Sequence, residues 1–387
     1  MNVVVRGPLL SMSGYGNHAR EVYRWLAGKS DVKLSSQILP WGITPWHINP
    51  SSLNGLTQHI MERSVPIADN RKYDCSFQIQ LPNEWDSNLA TVNVGVTAAV
   101  ETDKCNPEWV AACNRMDLVV VPSFHTKNCI ENSGDVTTNI VVIPEAFVSP
   151  VGDPNVEPFK LDKVDTKINF LLFGKITGNN AFVDRKNTFF ALKWLREEFA
   201  DNPDVGIILK TNNGRNTSWD RKGCRKMLQS VCGEIKSSAK TYLLHGSMTS
   251  DEVAGLYLNK KVTALVSATR GEGFGLPILE AAASGLPVIA TGWSAHCEFM
   301  NLGKWIKVEY DLVPVPPPRV DGQIFIEGTK WADVREQDFK KKVRKFYNAN
   351  SKPKEWAQEL SAKIVENYSF ESISKKWDAA ATEYLRW

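Results

Sequence analysis

Short β-branched runs alternate with stretches of helical period along this chain. In the first part the runs are "NVVVR" (2–6), "VKLSSQI" (32–38), "DCSFQIQ" (74–80), "TVNVGVT" (91–97), "DLVVVP" (117–122) and "NIVVIP" (139–144). Strands of this kind separated by helices predict a parallel sheet covered on both faces. Residues 16–28 carry the helical period: Ala19, Val22, Tyr23 and Leu26 share one face, Arg20, Glu21 and Arg24 lie off it, and Gly28 marks the stop. From 149 to 167 the periodicity lapses into "SPVGDPNVEPFKLDKVDTK", which reads as a linker. The alternation then restarts with "INFLLFG" (168–174), a helix from Asn187, "VGIILK" (205–210), "TYLLHG" (241–246), a helix opened by the capping box Thr249 to Glu252, "VTALVS" (262–267) and "PVIAT" (287–291). Two α/β sheets in series are the expectation. "VPVPPPRV" (313–320) reads as an extended surface loop and the remainder as mostly helical, with no short-period repeat or low-complexity tract.

Composition adds bounds to this picture. A chain of 387 residues exceeds what one ordinary core supports, so two domains are expected. The 46 basic and 43 acidic residues leave a formal charge of +3, too balanced for nucleic-acid binding by bulk electrostatics. The basic run "DRKGCRKM" (220–227) could meet anionic lipid or phosphate, but such runs are more often solvated faces. Seven cysteines form an odd set without a CxxC pair, a pattern that fits neither a disulfide framework nor a zinc site. "MNVVVRGPLL" is too short an apolar run for a signal peptide, and nothing approaches the apolar length of a membrane span. A cytoplasmic protein is expected, at most peripheral at the inner face of a membrane. The thirteen tryptophans read chiefly as core or domain-interface residues, with some able to stack on a sugar or base.

The chemistry concentrates in "TRGEGFGLPILEAAASGLPVIAT" (269–291). A strand ending near Ser267 and a helix opened by Pro277 leave Gly273 and Gly275 in the intervening turn, where backbone can approach a ligand closely. Phe274 and Leu276 complete that turn. N–H groups and the positive end of the helix dipole there attract an anion such as a diphosphate. Glu280, one turn in, suits neutral hydroxyls beside the phosphate, such as those of a ribose, and Glu272 the hydroxyls of a second sugar. The pattern describes a nucleotide-diphosphate-sugar lying across the helix start, against the bland reading of an ordinary strand-loop-helix unit with glutamates in water.

"EGFGLPILE", two glutamates separated by seven residues, followed by "AAASGLPVIAT", resembles the donor-site signature of the retaining GT-B glycosyltransferases of glycosyltransferase family 4. "LLFGKITGNNAFVDRKN" (171–187) resembles the segment of that family carrying two basic residues that clamp the donor diphosphate. Lys175 and Lys186 occupy those positions, with Arg185 adjacent; lysine stands at 175 where arginine is usual, and "TGNNAFV" lengthens the spacing. The resemblance implies a GT-B architecture of two Rossmann-like parallel-sheet domains facing a central cleft. It places an acceptor domain at 1–155, a nucleotide-sugar domain at 156–365, and a last helix at 366–387 crossing back to the first domain. It also implies hinge closure and transfer of a sugar, with retention, to a hydroxyl of a glycan, lipid-linked sugar or other acceptor. Lys175, Lys186 and the helix start would carry the leaving diphosphate. With no D-x-D motif in the chain, neither a metal nor any other cofactor is expected.

Gly14, Gly16 and Ala19 in "SMSGYGNHA" (11–19) spell G-x-G-x-x-A, but the long first loop and the lack of an acidic residue after the second strand argue against a nicotinamide site. The loop resembles the family's Gly-rich turn facing donor phosphate and acceptor; the alternative reading is a cap on the following helix. In "AVETDKCNPEWVAACNRMDLVVVPSFHTKNCIENSG" (99–134), Glu101 or Asp103 lies nearest the family's residue beside the donor sugar. His18 and His125 read as surface or helix-terminal residues. His245 either approaches the nucleotide base or packs at its strand end. Two rival functions remain open on sequence: a non-catalytic carbohydrate- or nucleic-acid-binding protein, and an NAD-dependent oxidoreductase.

Overall fold

The computed structural model describes residues 1–68, 71–174, 180–214 and 216–385. The chain forms two compact units: the first comprises Met1–Ala146, Asp321–Ile326 and Tyr368–Trp387, the second Phe147–Val320 and Glu327–Asn367.

In the first unit the expected β-branched runs form β1 (Asn2–Gly7), β2 (Lys33–Ile38), β3 (Tyr73–Ile79), β4 (Ala90–Val96), β5 (Leu118–Val121) and β6 (Ile140–Val142). They pair in the order β2-β1-β3-β4-β5-β6, all parallel. Val3, Val5, Phe77, Ile79, Val94 and Val96 sit in one core with Val22, Tyr23 and Leu26 of the helix Gly14–Ala27. The helix Phe370–Ala380 belongs to this unit and closes the same core: Trp377 stacks on Trp25 with centroids 5.2 Å apart, and Trp25 Nε1 donates to Asp378 at 2.7 Å.

The helix Gly14–Ala27 differs from its sequence reading. Arg20 and Glu21, placed off the apolar face, are buried, and so is His18. Arg20 Nη1 donates to the Leu9 and Ser11 carbonyls at 3.0 and 2.8 Å, and Glu21 accepts the Ala146 N–H at 2.8 Å. Backbone groups of neighbouring loops therefore take the place of water, and burial raises the pKa of Glu21 to about 8, so it enters the interior mostly as the neutral acid near pH 7 while Arg20 keeps its charge. His18 is not a surface residue: it is 1% exposed, with Nδ1 3.7 Å from Glu145 Oε1. Burial pushes its pKa down to about 4, so it is neutral near pH 7.

In the second unit β7 (Ile168–Phe173), β8 (Val205–Thr211), β9 (Lys240–His245), β10 (Ala264–Ser267), β11 (Val288–Thr291) and β12 (Ile306–Val308) pair in the order β12-β11-β10-β7-β8-β9, again all parallel. Six parallel strands covered by helices make each unit Rossmann-like. The capping box is present: Thr249 Oγ1 accepts the Glu252 N–H at 3.2 Å and Glu252 returns to the Thr249 N–H at 2.8 Å. The segment read as a linker is docked on this unit, with Phe159 N–H on the Gly255 carbonyl at 3.0 Å and Lys261 Nζ on the Leu161 and Val164 carbonyls at 3.0 and 2.7 Å.

Two features depart from the sequence reading beyond 306. Strand β12 was not expected there, and residues read as loop and helix form an antiparallel ribbon, β13 (Tyr310–Pro314) with β14 (Lys330–Val334). Both strands of the ribbon interleave charged with apolar positions, so their period is weak, and Pro314 at the end of β13 reads as a strand breaker. No described helix is long and apolar enough to cross a membrane.

Candidate active site

The strand order of the second unit reverses at β7: the chain proceeds outward through β8 and β9, then returns to pair β10 on the other side. Ligands of open parallel sheets bind beyond the carboxyl ends of the strands at such a switch point. A shallow depression lies there, lined by Phe173 at the end of β7, Ser267 at the end of β10, Lys186, Glu272, Gly275 and Pro277.

Glu272 is the centre of this site. It is 5% exposed, and Lys186 Nζ donates to its Oε1 and Oε2 at 2.7 and 2.8 Å. Arg185 Nη1 donates to Oε2 at 3.1 Å and to the Gly271 carbonyl at 2.7 Å. Burial by itself would raise the pKa of Glu272, but the Lys186 and Arg185 charges outweigh it and hold the carboxyl down at about 2. The side chain is ionised at any physiological pH.

The helix that follows is Leu276–Ala283, with Gly275 at its N-cap and Pro277 in its second position rather than its first. Gly275 has φ 103°, a left-handed conformation open to glycine, and a Cβ there would lie 3.1 Å from that of His296. Gly275, as the N-cap, brings no side chain to cap this helix start. Phe274 is turned inward, 5% exposed and edge-on to Phe299 with centroids 5.5 Å apart. Glu280 is 7% exposed and accepts the Tyr257 hydroxyl at 3.3 Å; burial raises its pKa to about 7 against the weaker lowering by Tyr257. The two glutamates of the motif therefore hold opposite electrostatic states: one anchored as an anion, the other poised near neutrality.

Several residues that hold this geometry carry no signal in the sequence. Asp184 accepts the Lys186 N–H at 3.0 Å through Oδ1 and the Thr188 N–H at 2.8 Å through Oδ2, fixing the backbone under Lys186 and starting the helix Thr188–Glu198. Ser294, at φ 81°, accepts the Glu272 N–H on its Oγ at 2.9 Å and faces His296 Nδ1 at 3.4 Å. His296 Nε2 lies 2.7 Å from the Thr291 carbonyl, which can only accept, so Nε2 carries the proton and Nδ1 is the acceptor for Ser294. Arg270 lies over the Trp331 ring at 5.2 Å and pairs with Asp333, and its carbonyl accepts the Ala332 N–H at 2.8 Å. Through these contacts β14 buttresses the loop that presents Glu272.

Of the expected donor-site residues, Arg185, Lys186, Glu272, Gly275 and Pro277 are brought together, while Lys175 lies outside the described residues. Gly273 and Leu276 flank the same turn, and Glu280 sits one turn further in beside Tyr257. His245 is held at the end of β9, its Nε2 3.2 Å from Asp220 Oδ2. In the first unit Gly14 and Gly16 lie within the first helical turn. Ser13 Oγ accepts the Gly16 N–H at 3.0 Å, and a Cβ on Gly16 would fall 2.0 Å from the Ser11 carbonyl oxygen. Glu101 and Asp103 are half-buried in the irregular segment after β4. The polar residue directly after β4 is Thr97, whose Oγ1 is 2.9 Å from the Tyr15 hydroxyl.

Residues 223–311, which span the turn and both glutamates, match the family described as "Glycosyl transferases group 1". The fold is GT-B. Among solved GT-B structures, a glycosyltransferase from Rickettsia africae ESF-5 superposes with TM-score 0.66 at 16% identity, over 99% of this chain and 98% of that one. HepE of Anabaena, solved with UDP and glucose, superposes with TM-score 0.64 at 12% identity, over 99% and 100%. The pneumococcal O-GlcNAc transferase GtfA, solved with UDP and GlcNAc, gives TM-score 0.52 at 15% identity over 80% of this chain; this chain spans only 57% of that one. No curated protein matches the chain significantly by sequence. At these identities the structural likeness is one of GT-B fold.

Proposed function

We propose that the protein is a retaining, metal-independent glycosyltransferase that moves a sugar from a nucleotide-diphosphate-sugar to a hydroxyl acceptor. The observation that carries this reading is the Lys186, Arg185 and Glu272 cluster at the switch point of the second sheet, beside an uncapped helix start. Two cations and a helix N-terminus suit a diphosphate, and a buried anion between them suits sugar hydroxyls. The match of residues 223–311 to glycosyl transferases group 1 supports it, as do GT-B relatives solved with UDP and sugar.

In this scheme the incoming diphosphate draws Lys186 and Arg185 from Glu272, and the carboxylate oxygens they leave accept hydroxyls of the donor sugar. Glu280 accepts ribose hydroxyls. The acceptor hydroxyl attacks from the face the diphosphate leaves, giving its proton to the departing phosphate oxygen. As the glycosidic C–O bond breaks, negative charge accumulates on the diphosphate and the two cations with the helix start stabilise it. Lys175, from the same segment, would add a third cation. A cytoplasmic site of action, at most peripheral to a membrane, and a glycan or lipid-linked acceptor complete the reading.

The test is a panel of nucleotide sugars assayed by thermal shift and by release of nucleoside diphosphate. The proposal expects one donor to raise the melting temperature and be turned over, and Lys186→Ala and Glu272→Ala each to lower turnover by about 100-fold or more in folded protein. Turnover at the wild-type rate in both variants would end it.

A further inference from the structure

The helix Ser218–Glu234 and strand β9 bring three metal-binding side chains to one point outside the donor site. Asp220 and Cys224 are four residues apart and so share one helical face, and His245 is the last residue of β9. Arg221, Lys222, Arg225 and Lys226 of the same basic run point to solvent while Cys224 turns inward at 2% exposure. One ligand atom each of Asp220, Cys224 and His245 lies within 4.8 Å of the other two. His245 Nε2 is 3.2 Å from Asp220 Oδ2, and Cys224 Sγ is 3.8 Å from Asp220 Oδ1. The His245 and Asp220 side chains are 6% and 5% exposed. Around a tetrahedral zinc ion, thiolate, imidazole and carboxylate donors stand roughly 3.3–3.6 Å apart, so the three need close by only about 1.5 Å at most.

The arrangement is a triangle, whereas a proton relay of the same residue types strings them in line through both nitrogens of the imidazole. Asn213 N–H donates to both oxygens of Asp220 at 3.0 and 3.1 Å, which fixes the orientation of the carboxylate as outer partners of metal ligands do. We propose that Asp220, Cys224 and His245 bind one Zn²⁺, with water in the fourth position. The sulfur selects zinc and its chemical kin over magnesium or calcium, whose ligands are oxygens. On binding, Cys224 loses its proton to solvent and the ion ties the first turns of the helix to the end of β9. The site acts as a clip on the fold; it does not depend on the glycosyltransferase reading.

The experiment uses untagged full-length protein, loaded with Zn²⁺ or Co²⁺ and desalted. Elemental analysis is expected to give one zinc per chain, and cobalt a near-ultraviolet sulfur-to-metal charge-transfer band. Zinc is expected to raise the melting temperature of the wild type by several degrees through mass action. Cys224→Ser is expected to abolish the band, and His245→Gln and Asp220→Asn to weaken zinc binding by more than about ten-fold. A band of unchanged intensity in Cys224→Ser would place the metal on another cysteine and overturn the proposal. So would wild-type protein with no band and no thermal shift, which decides the matter even if the variants fail to fold.

Discussion

Lys186 Nζ lies 2.7 and 2.8 Å from the two carboxylate oxygens of Glu272, a residue 86 positions further along the chain. The cation expected to clamp a phosphate is thus held by the anion expected to grip a sugar. A ligand entering this site exchanges one set of charge-assisted bonds for another, and each partner is kept in place until it does.

Lys186→Ala is expected to lower sugar transfer about 100-fold, on the order of 3 kcal/mol at the transition state, with circular dichroism unchanged. Steady-state kinetics on the identified donor would show the loss mainly in kcat, because the charge it meets develops as the diphosphate leaves. An increase in KM alone would assign Lys186 to uniform binding.

Glu272→Gln is expected to destabilise the protein by about 3 kcal/mol, since it leaves two partly buried cations facing a neutral amide. The pH dependence has a defined sign. The unfolded carboxyl titrates near 4.5 and the native one near 2, so the contribution of Glu272 is complete above about pH 4.5 and is lost as pH falls toward 2. Urea midpoints measured from pH 6 to the acid limit should fall more steeply for wild type than for Glu272→Gln. Parallel curves would remove this role.

Glu280 acts in the opposite direction. Its native pKa, raised to about 7, means the folded chain keeps a proton that the unfolded chain has released above about 4.5. Stability from this group therefore falls between about pH 4.5 and 7 and stays low above that range. Glu280→Gln should flatten the dependence and gain on the order of 2 kcal/mol at pH 8. If the ionised carboxylate accepts ribose hydroxyls, donor binding at pH 6.5 should release protons, seen by calorimetry in buffers of different ionisation enthalpy. The Gln variant should release none.

Gly275→Ala places a Cβ at φ 103° and 3.1 Å from the Cβ of His296. A loss of about 1–2 kcal/mol in chemical denaturation is expected from the left-handed backbone alone. Donor affinity should fall further, because the shift moves the helix start. Gly16→Ala separates two readings of the other glycine turn: its Cβ would fall 2.0 Å from the Ser11 carbonyl oxygen, so it should destabilise the fold. Unchanged donor affinity in the surviving folded fraction would make that turn a helix cap rather than a ligand contact.

The two sheets were legible except for β12, most clearly in central strands buried on both faces such as β8, and a strand such as "INFLLFG" has no polar face to blur it. Thr249 and Glu252 announced their helix because a capping box is a local bond pattern. Strand β14 was not legible. Its sequence, "KWADV", mixes charged and apolar residues, and it becomes a strand by pairing with β13 while Arg270 packs over Trp331. Glu21 falls off the apolar face for a related reason: periodicity ranks it by polarity, while its burial comes from a neighbouring segment whose Ala146 N–H it accepts.

The sequence alone determined the parallel α/β class, the turn from Glu272 to Glu280, and the basic residues near 185, since each is written in spacing along a few turns or strands. Only the tertiary structure decided that Lys186 and Arg185 neutralise Glu272, that Glu280 is held near neutrality, and that Asp220, Cys224 and His245 converge. Charge state depends on what lies within a few ångströms through space and on how much water is excluded there, and neither quantity is encoded in neighbouring letters.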